Sequence, residues 1–264
     1  MLTIKNASKT FQPGTPNAHQ ALKNINLELA AGDFYTVIGS NGAGKSSLFN
    51  AITGSFWLDE GRVILDGNDL TFEKEYRRAR FIGQIFQDPM KGTAPALTIE
   101  ENLSLAYSRS NRRSLSLSLH KQDIDFFRET LTRLDMGLEN RMKTKVGLLS
   151  GGQRQAVTLL MSTLSIPKLL LLDEHTAALD PITAEKVLDI TTRIVAENQI
   201  TTLMITHNIA SALALGTHTI MMDSGQIVLT LSGEERKALT VEGLMALYRE
   251  KVHKELNNDR MLII

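Results

Sequence analysis

Residues 39–46 read Gly39-Ser40-Asn41-Gly42-Ala43-Gly44-Lys45-Ser46, which fits the spacing G-x-x-x-x-G-K-[ST]. Glycine has no Cβ, so such a loop can turn its successive backbone N–H groups inward, where they face phosphate oxygens. A helix opening near Lys45 would add its positive dipole end to the same anion. The Lys45 ammonium suits the β- and γ-phosphates, and the Ser46 hydroxyl suits Mg²⁺. The competing reading is an ordinary strand–helix turn. Chance supplies such a match in about one chain in a hundred of this length. The buried strand before it and the helix after it favour nucleotide binding.

A second constellation follows far downstream. Leu169-Leu170-Leu171-Leu172 runs into Asp173-Glu174. An apolar strand would carry Asp173 to the carboxyl edge of a parallel sheet, where ligands of open α/β sheets collect. Asp173 suits a metal ion reached through water. Glu174 suits orientation or deprotonation of a water attacking a γ-phosphate. The alternative is an N-cap pair for the next helix. A third run, Leu149-Ser150-Gly151-Gly152-Gln153, sets an N-cap serine and two glycines ahead of a helix, which makes a second anion site. One nucleotide needs one phosphate loop. The second site is therefore expected to cap the nucleotide held by another copy.

These residues need elements to hold them. Residues 2–8 read as a strand, and Leu22–Leu29 alternates apolar with polar residues, as a strand with one wet face does. Phe34–Ile38 is apolar on both faces, as in a buried parallel strand. A helix is expected from about Lys45 to Thr53, then strands near 62–65 and 80–87 around the turn at 66–69. From about Pro89 to Pro167 helical periodicity replaces the strand signal. Ile124, Phe127, Leu131 and Leu134 share a helix face, with Gly137 as the stop. A further helix is expected from about Gly151 to Leu164. The run 109–119, rich in Ser, Leu and Arg, is read as an exposed loop or a frayed helix start.

After Pro167 the strand–helix alternation returns. Lys168–Asp173 is a strand. Asp180-Pro181 is an N-cap and N1 pair opening a helix to about Asn198. Thr201–Thr206 is a strand, Asn208–Leu215 a short helix, and 218–223 with 226–230 a hairpin around Ser224-Gly225. Ser232 and Glu235 read as a capping box. The expected fold is α/β, with a mainly parallel core sheet, an N-terminal antiparallel β subdomain, and a helical subdomain inserted at about 89–167.

The 264 residues carry 29 Lys+Arg against 29 Asp+Glu, so the electrostatic footprint of a nucleic-acid binder is missing. With no cysteine, disulfide scaffolds, thiolate metal sites and cysteine nucleophiles are excluded together. Hydrophobic residues make up 42%, which argues against disorder and suffices for a core without staples. Met1–Asn6 alternates and lacks the blocks of a secretory signal, and the four-leucine run stops at Asp173-Glu174, too short to span a bilayer. The expectation is a cytoplasmic chain; at a membrane, another subunit crosses. His19, His120, His175, His218 and His253 have no partners at metal-ligand spacing and are read as structural or solvated.

From about Leu2 to Val252 the chain resembles the ATP-binding subunit of an ATP-binding-cassette (ABC) transporter, with the family's motifs in order. Residues 41–47, ending in Ser46-Ser47, resemble its P-loop, and Leu149–Gln153 its signature. Gln87, before Asp88-Pro89, resembles the Q-loop glutamine. Ala178-Leu179-Asp180 resembles the D-loop, and His207, after Met204-Ile205-Thr206, the switch histidine. Phe11 aligns with the aromatic that stacks on adenine; packing alone is its bland alternative.

The resemblance implies two subunits closing head to tail around two ATP molecules with Mg²⁺. Each site would use one subunit's P-loop and the other's Ser150, Gly151 and Gly152. His207 would contact the γ-phosphate and support Glu174, and Asp180 would report on the opposite site. Ser46, Gln87 and Asp173 would hold the metal, and Gln87 would link it to the membrane subunits. Partners would be a second copy, permease subunits and, for an importer, an extracytoplasmic substrate-binding protein. The chain departs from the family at Asp173-Glu174-His175-Thr176, where proline often follows the glutamate. That variant resembles importers of amino-acid-like solutes. The alternatives are a soluble ABC ATPase of translation, repair or cluster assembly, and a regulatory nucleotide binder without turnover.

Overall fold

The computed structural model describes residues 1–108 and 121–252, so the run 109–119 lies outside the described residues. In chain order the elements are β1 (Leu2–Phe11), β2 (His19–Leu29), β3 (Phe34–Gly39), α1 (Lys45–Thr53), β4 (Glu60–Leu65), β5 (Asn68–Asp69), α2 (Glu75–Arg78) and β6 (Ile82–Ile85). Then come α3 (Ile99–Ser108), α4 (Lys121–Thr132), two short 3₁₀ turns at Leu138–Asn140 and Val146–Leu148, α5 (Gly151–Thr163), β7 (Leu169–Asp173) and α6 (Pro181–Asn198). The chain continues through β8 (Thr201–Ile205), α7 (Ile209–Ala214), β9 (His218–Asp223), β10 (Gln226–Ser232), α8 (Gly233–Lys237) and α9 (Val241–Val252).

Two compact units emerge: residues 1–81 with the chain from Gln199 onward, and residues 82–198. In the first, β1 pairs antiparallel with both β2 and β4, and β4 with β5. The alternation in β2 sends Leu22, Ile25, Leu27 and Leu29 inward while Asn24, Asn26 and Glu28 stay exposed, the one wet face the sequence requires. In the same unit β3, buried along its whole length, pairs parallel with β8 and β9, and β9 turns back antiparallel into β10. A strand buried on both faces needs no polar stripe, and the one polar residue of Phe34–Ile38, Thr36, is buried with its hydroxyl donating to the Ala212 carbonyl at 3.0 Å.

The second unit pairs β6 parallel with β7, whose four leucines are fully buried. It also contains α3 to α6. In α4 Phe127 and Leu131 point into the core, and Leu134 beyond its end is buried too. That helix stops at Thr132, and Asp135 takes a left-handed φ of 50°. Gly137, expected as the helix stop, instead opens the 3₁₀ turn at Leu138–Asn140. The left-handed turns at Asp135 and Gly137 break the chain between Leu134 and Leu138, and both leucines are buried.

Ser232 does precede a helix, yet among the described residues its side chain makes no capping bond, and that helix is only Gly233–Lys237. Gly233 at φ 56° turns the chain away before a capping geometry can form. The strand expected over 80–87 is confined to Ile82–Ile85, because Arg78 and Phe81 close the turn of α2 through the Phe81 N–H bond to the Arg78 carbonyl. Among the described residues no helix is long and apolar enough to cross a membrane.

Candidate nucleotide site

In the first unit β3 delivers the chain to Gly39, where backbone passes so close that a Cβ would sit 2.3 Å from the Met222 carbonyl oxygen. The Ala43 N–H closes a turn on the Ser40 carbonyl at 3.1 Å, and Gly42 and Gly44 take φ of 80° and 100°. Gly44 is the N-cap of α1 and offers no side-chain cap, and the first turn of α1 carries no acidic residue. The positive dipole end of α1 therefore opens directly behind the glycine loop. Lys45 is buried, and its ammonium donates to the carbonyls of Gly39 at 2.7 Å and Ser40 at 3.1 Å. The ammonium thus lies over the loop, bonded to two of its carbonyls.

Register places His207 on the same edge. Val37 of β3 pairs with Ile205 of β8, and Gly39 and His207 each lie two residues beyond that pair. Both chains therefore leave the sheet at its carboxyl edge. Thr206 is fixed by its N–H bond to the Val37 carbonyl at 3.2 Å, and Asn208 caps α7 by accepting from the Ser211 N–H at 2.8 Å. His207 is held between a strand end and a helix cap.

The second unit repeats this construction. Ile85 of β6 pairs with Leu172 of β7, so Gln87 and Glu174 each emerge two residues beyond the pair, with Asp173 closing β7. Glu174 adopts a left-handed φ of 46°, a conformation that strains a non-glycine residue by about 1–3 kcal/mol. The Ala177 N–H bond to the Glu174 carbonyl at 3.0 Å holds it there. Asp180 caps α6 by accepting from the Thr183 N–H at 3.1 Å, and those Thr183 contacts lower its carboxyl below the ordinary range.

Ser150 is the N-cap of α5, as its type predicts, and Gln153 completes a full capping box with it at 3.2 and 3.3 Å. The glycines after it are packing residues as well. A Cβ on Gly151 would lie 3.2 Å from Leu179, and one on Gly152 would lie 2.0 Å from the Thr183 methyl. The run 150–152 therefore sits directly against the segment that carries Asp180.

Three residues escaped the sequence reading. Gln155 is buried, and its amide donates to the Phe86 carbonyl at 3.3 Å, fixing α5 to the backbone next to Gln87. Arg154 donates to the carbonyls of Val146, Gly147 and Leu149 and so braces the approach to Ser150. Phe56 meets Phe11 edge-on at 5.2 Å between ring centres, and the Lys9 ammonium lies near both rings while paired with Asp59 at 2.7 Å. A polar residue buried within a helical run was the available signal for Gln155; nothing local marks the other two.

The ABC transporter family model matches residues 22–177. The chain belongs to the ABC transporter family. It is 41% identical to the tyrosine transport ATP-binding protein of Clostridioides difficile (strain R20291), over 96% of this chain and 100% of that protein. It is 34% identical to the phosphonates import ATP-binding protein PhnC of Shouchella clausii (strain KSM-K16), over 86% of this chain and 85% of that one. Among solved structures it resembles a dimeric ATP-binding cassette in a post-hydrolysis state bound to ADP and Pi, with TM-score 0.76 and 29% identity, covering 88% of this chain and 98% of that one. Membership in the ABC family makes this chain an ATP-binding and ATP-hydrolysing subunit that powers transport, of α/β fold with an antiparallel N-terminal sheet and a parallel-rich core.

Proposed function

We propose that this protein is the ATPase of a bacterial importer for a small, amino-acid-like solute, working as a pair of copies on a separate membrane permease. The observation that carries the reading is a pair of glycine-bearing helix N-termini in one chain, at α1 and at α5. The α1 helix begins at Lys45 straight after the glycine loop, and α5 begins after Ser150 with two glycines packed on the D-loop segment. One ATP occupies one phosphate loop, so the Ser150 site serves the ATP of the partner copy. The names of the relatives, transport of tyrosine and import of phosphonates, favour transport over a soluble ATPase.

In this reading Gly39–Ser47 cradles the triphosphate and Lys45 neutralises its β- and γ-oxygens. Phe11 faces the base, and Ser150, Gly151, Gly152 and Gln153 cap the partner's nucleotide. Ser46, Gln87 and Asp173, all oxygen donors of the kind Mg²⁺ takes, would hold that ion, which would supply charge neutralisation at the phosphates. Glu174 orients and deprotonates the attacking water, His207 supports it at the γ-phosphate, and Asp180 senses the opposite site. The protein then lies on the cytoplasmic face of the membrane through its permease, with an extracytoplasmic binding protein delivering the solute.

Sedimentation of Glu174→Gln at saturating Mg-ATP tests the pairing. A dimer that reverts on ATP removal is expected, and a persistent monomer overturns it. Co-purification of the tagged protein with a multi-span hydrophobic subunit, followed by uptake of labelled tyrosine into vesicles holding that complex, tests the transport reading. Ribosomes or DNA in place of that subunit would reject it.

A further inference from the structure

We propose that Asp223 is a positioning residue for the phosphate loop, and that Tyr248 makes the docking of the C-terminal helix part of the nucleotide site. The inference rests on reading Gly39–Ser46 as the phosphate cradle.

The turn between β9 and β10, Asp223-Ser224-Gly225, forms the seat on which that loop lies. The Gly225 N–H donates to the Ala43 carbonyl at 3.0 Å. Gly39 pairs with Met222 at the end of the β3–β9 ladder. A Cβ on Gly44 would stand 3.2 Å from the Gly225 Cα and 2.6 Å from the Ala21 carbonyl oxygen. The turn is anchored from its far side as well, since the Lys23 N–H donates to the Gly225 carbonyl at 2.8 Å. The backbone of the loop and the backbone of the turn therefore move together or not at all.

Asp223 adds a side-chain route. Asp223 is 7% exposed, and its carboxylate accepts from the hydroxyls of Ser224, Tyr248 and Ser40. Ser224 donates to Oδ2 at 2.8 Å, while Tyr248 at 3.1 Å and Ser40 at 3.5 Å both donate to Oδ1. One oxygen is thus shared between α9 and the second residue of the phosphate loop. Tyr248 is buried in a core cluster with Ile38, which leads into the loop, and Ile209, which follows His207. The α9 helix thus shares one buried cluster with Ile38 near the end of β3 and with Ile209 at the start of α7.

A carboxylate this deeply buried must keep its donors, because an unsatisfied charge in a low-dielectric setting is expensive. If α9 leaves, Oδ1 loses its tyrosine donor and must take more from Ser40 or from water, and the loop is pulled from its resting geometry. Coupling of this kind is reciprocal, so nucleotide in the loop stabilises the docked helix by the same factor.

Titration calorimetry with Mg-ATP tests this on the full chain. Tyr248→Phe keeps the ring in the core and deletes only the hydroxyl. It should weaken Mg-ATP binding about fivefold and raise KM alike while kcat at saturating ATP stays within twofold. Asp223→Asn serves where that variant folds poorly and should weaken binding at least as much. Adding Ser40→Ala to Tyr248→Phe should produce less than the product of the single effects, since both act through one oxygen. In hydrogen exchange, Mg-ATP should slow the amides of 241–252 in the wild type but not in Asp223→Asn. Affinities within twofold of wild type in both single variants, with unchanged exchange in α9, would overturn the coupling. A wild-type protein that takes up no Mg-ATP would instead overturn the cradle reading itself.

Discussion

The imidazole of His175 lies fully buried with its Nε2 3.3 Å from the hydroxyl oxygen of Thr191, one residue after Glu174 and sixteen before its partner on α6. Thr191 spends its own proton on the Val187 carbonyl at 2.7 Å, so Nε2 must carry the hydrogen and donate. The chain thus pegs the backbone after Glu174 to the middle of α6 through a neutral histidine.

Burial pushes the His175 pKa down to about 4 from an ordinary 6.5. The unfolded chain therefore binds this proton more readily. The stability contributed by the neutral ring is complete above about pH 6.5 and is lost as pH falls from there toward 4, about 3 kcal/mol in all. Melting temperature against pH should fall more steeply through that window in the wild type than in His175→Asn, whose amide can still donate to Thr191. Parallel profiles would show that His175 is not buried neutral.

Gly152 tolerates no side chain while Thr183 keeps its methyl. Gly152→Ala should destabilise the protein by roughly 1–3 kcal/mol through overpacking. Thr183→Ala in the same chain should restore most of the loss, because it removes the methyl a Cβ would meet at 2.0 Å. Chemical denaturation of the three variants measures this, and an unrescued double variant would place the clash elsewhere.

Arg78 is buried, and among the described residues no carboxylate bonds to its guanidinium nitrogens. It donates instead to the carbonyls of Ala51 and Ile52 at 2.8 Å each, Thr71 at 3.0 Å and Glu73 at 2.9 Å. It thereby collects the last carbonyls of α1, in the space that Gly54 leaves open beneath it. Arg78→Met strands four acceptors and should destabilise by about 3 kcal/mol, lowering Tm by roughly 6–12 °C at this size. Arg78→Lys should recover only part, since one ammonium cannot reach four carbonyls in a fixed fork. A Tm within 2 °C of wild type for Arg78→Met, about 1 kcal/mol or less, would refute this.

Lys45→Ala should fold, because the loop is held by backbone bonds and by its seat at Met222. It should release phosphate from ATP about 10²–10³-fold more slowly, the usual scale for losing one charged donor at a reacting phosphate. Malachite-green detection under saturating Mg-ATP decides it; turnover at the wild-type rate would remove Lys45 from the chemistry.

What the sequence determined by itself is local. The glycine spacing at 39–44 dictates a loop that only glycines can form, and Ser150 followed by two glycines dictates a capped helix. Alternation in β2, and the near-absence of polar residues from β3 and β7, dictate which strands have a wet face. Each of these depends on residues within one turn or one strand of each other. The tertiary structure decided everything that joins distant segments: the bond from Gln155 to Phe86 across 69 positions, Thr183 over Gly152, the guanidinium of Arg78 under α1, and Asp223 shared by Ser40 and Tyr248. No periodicity announces such pairs. A buried donor takes whichever acceptor the packed chain brings within 3 Å or so, and that is settled only when the layers close.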